Sequence, residues 1–122
     1  MELPWSLTEE AERSQLLQAV VLTSQILERP IEPKLLEDKM AGLAEEKWPL
    51  ELLRSIKSFE YRARWYTYTG YEKNINQVPL PTILKLESMY VALRQNGKEV
   101  LLFDVAAGKP VIMPMEEFDS KW

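Results

Sequence analysis

The residues with the most chemical character lie in one short run, in which arginines are interleaved with aromatic side chains. The run comprises Arg62, Arg64, Trp65, Tyr66 and Tyr68. Cations next to aromatic faces can stack on nucleic-acid bases or bind an extended peptide. A structural interpretation stays open beside these two, in which the rings fill a core and the arginines are solvated. Because the chain carries a net charge of −4, the pattern favours a peptide partner over nucleic acid.

Other chemistry is limited by the residue types that the sequence lacks, since it contains no histidine and no cysteine. Ser-His-Asp and Cys-His mechanisms need an imidazole, and structural zinc sites use the same two residue types. The four glycines are widely spaced and form no phosphate-binding motif. The carboxylate clusters lie at predicted helix starts or in polar connectors, where solvation and the helix dipole account for them. The absence of these residue types therefore excludes the histidine-dependent mechanisms and structural zinc sites, and we expect no metal or cofactor in the domain.

Length and composition predict a single globular domain over residues 1–122. Hydrophobic residues make up 46% of the chain and charged residues 28%, close to the averages for globular proteins. No stretch approaches the roughly 20 apolar residues that a membrane-spanning helix needs, so we expect that the domain itself does not span the membrane. The N-terminus is acidic, which is not typical of a secretory signal.

The first half of the chain, about residues 6–58, has helical patterning. A capping-box sequence at residues 6–9 predicts the start of a long first helix. The apolar residues of this helix cover much of its circumference, which predicts a central helix buried on several sides. Pro33 suits the first turn of a second helix that Gly42 ends, and Pro49 suits the first turn of a third.

The second half, about residues 61–122, has the patterning of strands. Aromatic and threonine residues predict a first strand over residues 61–68. Further strands are predicted over residues 80–86, 89–94, 99–104 and 109–113. Asn96-Gly97 predicts a hairpin, and the apolar run 100–103 predicts a strand that is covered on both faces. A last helical turn follows Pro114. Helices followed by an antiparallel meander indicate an α+β fold.

Three segments of the β-rich half carry a resemblance to a known family. They are residues 80–84 (LPTIL), 89–93 (MYVAL) and 100–104 (VLLFD), and Glu117-Phe118 and Trp122 follow at the matching end. In this order they resemble the bacteriocin-processing cysteine peptidase domain, which sits at the N-terminus of certain ABC exporters. The helical half is similar in order and length. The resemblance implies a papain-like fold, with a central N-terminal helix and further helices packed on an antiparallel sheet.

The chain departs from this family at the residues that carry the chemistry. The position of the nucleophilic cysteine corresponds to Gln15, and that of the catalytic histidine to Met89. The glutamine of the oxyanion hole corresponds to a position near Glu9. Asp104 alone keeps the family residue, and it has no imidazole to orient. The resemblance therefore implies a degenerate peptidase that is not an enzyme.

Members of this family that lack the cysteine are peptidase-like domains of type I secretion exporters, which export RTX toxins and adhesins from Gram-negative bacteria. The resemblance implies a domain excised from such a transporter, on the cytoplasmic face of the inner membrane, where it docks the unfolded substrate before export. Its partners would be that substrate, the rest of the transporter and its membrane fusion protein, and ATP would bind elsewhere in the full-length protein. We expect substrate contacts from the arginine–aromatic run and from Tyr90. Two alternatives stay open: an active protease with unconventional residues, and a structural element that supports transporter assembly.

Overall fold

The computed structural model describes residues 10–65 and 75–122. The chain divides into two compact units, Met1–Thr67 and Tyr68–Trp122, which we call the helical unit and the sheet unit. The secondary structure is α+β, as the sequence predicts. Several predicted features lie outside the described residues: the capping box at residues 6–9 with Glu9, and the predicted contact residues Tyr66 and Tyr68.

The described part of the helical unit contains three α-helices, α1 (Glu10–Ile26), α2 (Pro33–Met40) and α3 (Trp48–Ser58). Pro33 and Pro49 lie in the first turns of α2 and α3, where a missing N–H group costs no hydrogen bond. Helix α2 ends at Met40, because Ala41 after it is already extended, and Gly42 follows in the turn with a φ of 73°. The predicted starts of α2 and α3 and the predicted end of α2 are therefore confirmed.

Helix α1 buries only part of its apolar surface. Leu16 and Val20 are buried, whereas Ile26 is 40% exposed and Leu27, just beyond the helix, is 43% exposed. The prediction of burial around much of the circumference is therefore wrong at the C-terminal end of α1, because the chain leaves the helix there through a tight turn.

Helices α1 and α3 end in the same kind of turn, in which a glutamate adopts the left-handed conformation. Glu28 has a φ of 62° and Glu60 a φ of 69°. After α3, the Glu60 N–H donates to the Lys57 carbonyl (2.9 Å) and the Tyr61 N–H to the Ile56 carbonyl (3.4 Å), and the turn after α1 has the same two bonds. This is the Schellman pattern, whose left-handed position usually holds glycine because other L-residues incur a steric cost there.

The predicted strand over residues 61–68 is wrong for its described part, since residues 61–65 form neither strand nor helix. The side chains of Tyr61 and Trp65 donate hydrogen bonds to main-chain carbonyls of the helical unit. The three residues between them are all exposed, unlike the alternation of a half-buried strand. The aromatic residues that suggested a strand fix this segment to helices instead.

The sheet unit contains an antiparallel sheet in the order β1-β2-β3-β4. Its elements are β1 (Thr82–Lys85), β2 (Met89–Gln95), β3 (Glu99–Asp104), β4 (Lys109–Pro114) and the helix α4 (Met115–Lys121). At the β2–β3 turn, Gly97 has a φ of 86°. The side-chain oxygen of Asn96 accepts hydrogen bonds from the N–H groups of Lys98 and Glu99. The four predicted strands, the hairpin and the last helical turn are thus confirmed.

Both faces of this sheet are apolar. The core on one face consists of Leu84, Tyr90, Ala92, Val100, Leu102 and Met113, together with Ile75, Val78 and Phe118. On the other face, Met89 and Val91 are 1% and 0% exposed, and Leu101 and Phe103 are half-buried. The prediction that β3 is covered on both faces therefore holds fully for one face and in part for the other.

Helix α4 is fixed to the sheet by an apolar contact and an ion-pair cluster. Phe118 is fully buried, and its ring centre lies 5.5 Å from that of Trp122. Lys121 Nζ lies 2.5 Å from Glu87 Oε1 and 3.3 Å from Glu117 Oε1. Hydrogen bonds to Glu87 and then Glu117 raise the pKa of Lys121 above its ordinary value. Because exposed ion pairs contribute little, Phe118 is the main anchor of α4.

Replacing Glu28 by glycine should raise the free energy of unfolding by about 0.5–1 kcal/mol. Glycine adopts the left-handed conformation without steric cost, and the change removes a negative charge from the C-terminal end of α1. Urea unfolding followed by circular dichroism measures the difference. Glu28→Gln is the matched control, since it removes the charge and keeps the side chain. A Glu28→Gly protein no more stable than Glu28→Gln would contradict the argument from backbone conformation.

Candidate functional site

The candidate site is the segment of residues 61–65, which we call the strap, and Tyr61 holds its first end. The Tyr61 hydroxyl donates a hydrogen bond to the Arg29 carbonyl just after α1, and the Tyr61 N–H donates to the Ile56 carbonyl in α3. The Arg29 guanidinium lies 5.0 Å from the centre of the Tyr61 ring and pairs with Glu60 at 3.4 Å. Tyr61 therefore ties the start of the strap to the ends of both helices.

Trp65 holds the other end of the strap. Its indole Nε1–H donates a hydrogen bond to the Pro49 carbonyl, 3.0 Å away in the first turn of α3. Pro49 and Ile56, which bond to the two ends of the strap, are about two helical turns or roughly 10 Å apart. The strap therefore runs back along α3, from its C-terminal end towards its N-terminal end, with an open backbone.

The middle of the strap presents two cations to solvent. Arg62, Ala63 and Arg64 are all exposed. Within residues 10–65 and 75–122, neither guanidinium forms a hydrogen bond or an ion pair. By contrast, the exposed Arg54 pairs with Glu51 at 2.7 Å. Arg62 and Arg64 are thus cations available to a binding partner, on a segment that is tethered at both ends.

Three of the predicted contact residues, Arg62, Arg64 and Trp65, are brought together by the strap. Tyr90 requires a correction, because it is 9% exposed and belongs to the core of the sheet unit. In β2 it shares a face with Ala92, which is fully buried, so its ring contributes to packing and is not available on the surface of that unit.

Two of the positions that correspond to catalytic residues of the resembled family lie close together in the sheet. Met89 begins β2 and Asp104 ends β3, and the register pairs Asp104 with Tyr90. Asp104 therefore shares a face with Tyr90, and Met89 projects from the opposite face. Met89 is almost fully buried. The third position, Gln15, is half-buried in α1.

Asp104 has a local structural role. Its Oδ1 atom accepts a hydrogen bond from the Ala107 N–H at 3.1 Å, and its main-chain carbonyl accepts one from the Gly108 N–H at 2.8 Å. Gly108 completes the β3–β4 turn with a φ of 69°. Asp104 therefore stabilises the β3–β4 turn.

Sequence reasoning missed a groove in the helical unit, with a volume of about 470 Å³. It lies between α1, α2 and the segment that leads into α3. The apolar lining consists of Leu17, Val21, Leu22, Leu36, Met40, Leu43 and Trp48. The polar lining includes Glu10, Arg13, Ser14, Gln18, Gln25 and Glu37. The signal that could have revealed the groove is the wide apolar arc of α1. A helix that packs on one side only buries a narrower apolar stripe, so part of this arc is left to line a groove.

No family model matches the chain, and no curated protein matches it. None of the helices in the described ranges is long and apolar enough to cross a membrane. The same ranges hold no group of three or more acidic, histidine or cysteine residues that could bind a metal ion. The family assignment thus remains a prediction from the sequence segments of the β-rich half.

Replacing Tyr61 by phenylalanine should lower the free energy of unfolding by about 1 kcal/mol. The substitution removes the hydroxyl that bonds to the Arg29 carbonyl and keeps the ring beneath the guanidinium. Urea unfolding measures the loss, and lower backbone NMR order parameters at residues 62–64 would report a looser strap. Tyr90→Phe is the matched control, because it removes a hydroxyl from the sheet unit. If the order parameters of residues 62–64 are the same in both variants, Tyr61 does not hold the strap.

Proposed function

We propose that this chain is a catalytically inactive peptidase-like domain of a type I secretion ABC exporter, and that it docks the unfolded secretion substrate. The proposal takes the papain-like fold from the sequence resemblance, and the structure shows the coarser α+β arrangement. The lack of histidine and cysteine in the sequence supports docking without cleavage.

The strap is the observation that carries the docking proposal. An unfolded substrate offers unpaired backbone groups and side chains in extended conformations, so a complementary surface should be elongated and exposed. The strap is exposed between anchors that lie about 10 Å apart along α3, and it adds the cations of Arg62 and Arg64 and the half-buried Trp65. Because Tyr61 and Trp65 already order it, little further conformational entropy is lost on its side of the complex.

In the proposed setting, the domain lies on the cytoplasmic face of the bacterial inner membrane as part of the transporter. It meets the substrate before translocation, and the transmembrane part and the membrane fusion protein provide the export path. ATP binds to another part of the full-length protein. The substrate is an RTX toxin or an adhesin.

Titration of the isotope-labelled domain with an unfolded RTX-type polypeptide tests the proposal. We expect amide shifts that include residues 62–64, and smaller shifts with the same polypeptide in its folded form, because only the unfolded chain can extend along the strap. NMR spectra recorded at high protein concentration measure both. The absence of any shift with the unfolded polypeptide would overturn the proposal.

Two further measurements separate docking from the alternative functions. With a double-glycine leader peptide as substrate, we expect no cleavage by the domain. Ser14, next to Gln15 in the sequence, is the hydroxyl that could replace the family's nucleophile, so turnover that disappears in a Ser14 or Asp104 variant would establish a protease. In the full exporter, we expect deletion of the domain to abolish secretion while the transporter still assembles. Impaired assembly would instead favour a structural role.

A further inference from the structure

The main chain of the strap is open to pairing. Within the two described ranges, the N–H and C=O groups of Arg62, Ala63 and Arg64 make no hydrogen bond to another residue. All three residues are exposed, and the hydrogen bonds that hold the strap come from the residues at its two ends. A row of open backbone groups between two fixed points is a template on which an extended peptide can add as a strand.

The side chains of the strap define what such a peptide should carry. Arg62 and Arg64 are two positions apart, and in an extended chain this spacing puts both side chains on one side, about 7 Å apart. The acidic residue nearest to them in the sequence, Glu60, pairs with Arg29 and not with either strap arginine. A paired strand with acidic residues at alternate positions would place one carboxylate near each guanidinium.

The outer edge of β4 is a poorer template for the same peptide. The Met115 N–H bonds to the Lys98 carbonyl, and the β3–β4 register then turns the backbone groups of residues 110, 112 and 114 outwards. Two of these residues, Pro110 and Pro114, have no N–H, which leaves the Ile112 N–H as the donor on that edge. Strand addition there would lack most of its hydrogen bonds.

We infer that the strap is a strand-addition site for an extended peptide with acidic side chains at alternate positions. The inference rests on the proposed function, because it names the class of substrate segment that the domain docks. Backbone hydrogen bonds to residues 62–64 provide the affinity, and the two guanidinium groups select the acidic spacing. The charge contacts are exposed to solvent, so the affinity falls as the salt concentration rises.

The probe is a labelled peptide of about ten residues in which aspartate alternates with threonine. Three comparison ligands are a peptide of the same composition with its aspartates in one block, an alternating peptide with N-methylated backbone amides, and an oligothymidylate. We expect the alternating peptide to bind at least about tenfold more tightly than each of the three, with amide shifts at residues 62–64. Fluorescence anisotropy and NMR titration measure the affinity and the location.

The variant R62E/R64E should abolish binding of the alternating peptide, and K98E/K109E is its matched control. The control changes the net charge by the same amount at exposed lysines of the sheet unit, and it should bind as the unaltered protein does. The inference is overturned if the alternating peptide binds no more tightly than the peptide with its aspartates in one block, or if N-methylation has no effect. It is also overturned if the oligothymidylate binds more tightly than the alternating peptide, or if both variants lose binding equally. If R62E/R64E still binds the unfolded RTX-type polypeptide, the docking function stands and the strap is not its site.

Discussion

The contact between Arg29 and Tyr61 determines how the helical unit presents its most chemically distinctive residues. Each of the two directly follows a left-handed glutamate that ends a helix, so the contact joins the ends of α1 and α3 as well as two side chains. The cation–π geometry, the ion pair to Glu60 and the bond from the Tyr61 hydroxyl all act at this point. Because the strap begins at Tyr61, the direction in which the chain leaves α3 depends on this contact.

Sequence patterns predict best those elements whose causes are local. Pro33 and Pro49 mark helix starts because their rings fix φ and they lack an N–H group, and Asn96-Gly97 marks a hairpin because both residues tolerate its backbone angles. The strand predicted over residues 61–68 fails in its described part for a non-local reason. Aromatic enrichment measures how well a side chain fits a pleated surface, and it cannot indicate that a helix carbonyl will accept the hydrogen bonds of Tyr61 and Trp65.

The sequence predicts which residues form the candidate site, but it does not predict how the fold exposes them. Arg62 and Arg64 follow from the sequence, whereas their exposure between two anchors depends on contacts with α1 and α3. The prediction that Tyr90 contacts a substrate is wrong, because its spacing from Ala92 places both on the same, buried face of β2. Asp104 is a second case in which residue type did not indicate the role. Its hydrogen bond to the Ala107 N–H stabilises a turn and requires no catalytic partner.

A strap that is already ordered suits the binding of an unfolded chain that must later be released. Each residue of the partner that becomes extended loses about 1–2 kcal/mol of conformational entropy, and a second flexible segment on the domain would add a comparable cost. Fixing the strap through Tyr61 and Trp65 removes that second cost. The partner's own ordering still limits the affinity, and exposed ion pairs add little to it. Such a site favours rapid, reversible contact, as the proposed docking of a substrate before export requires.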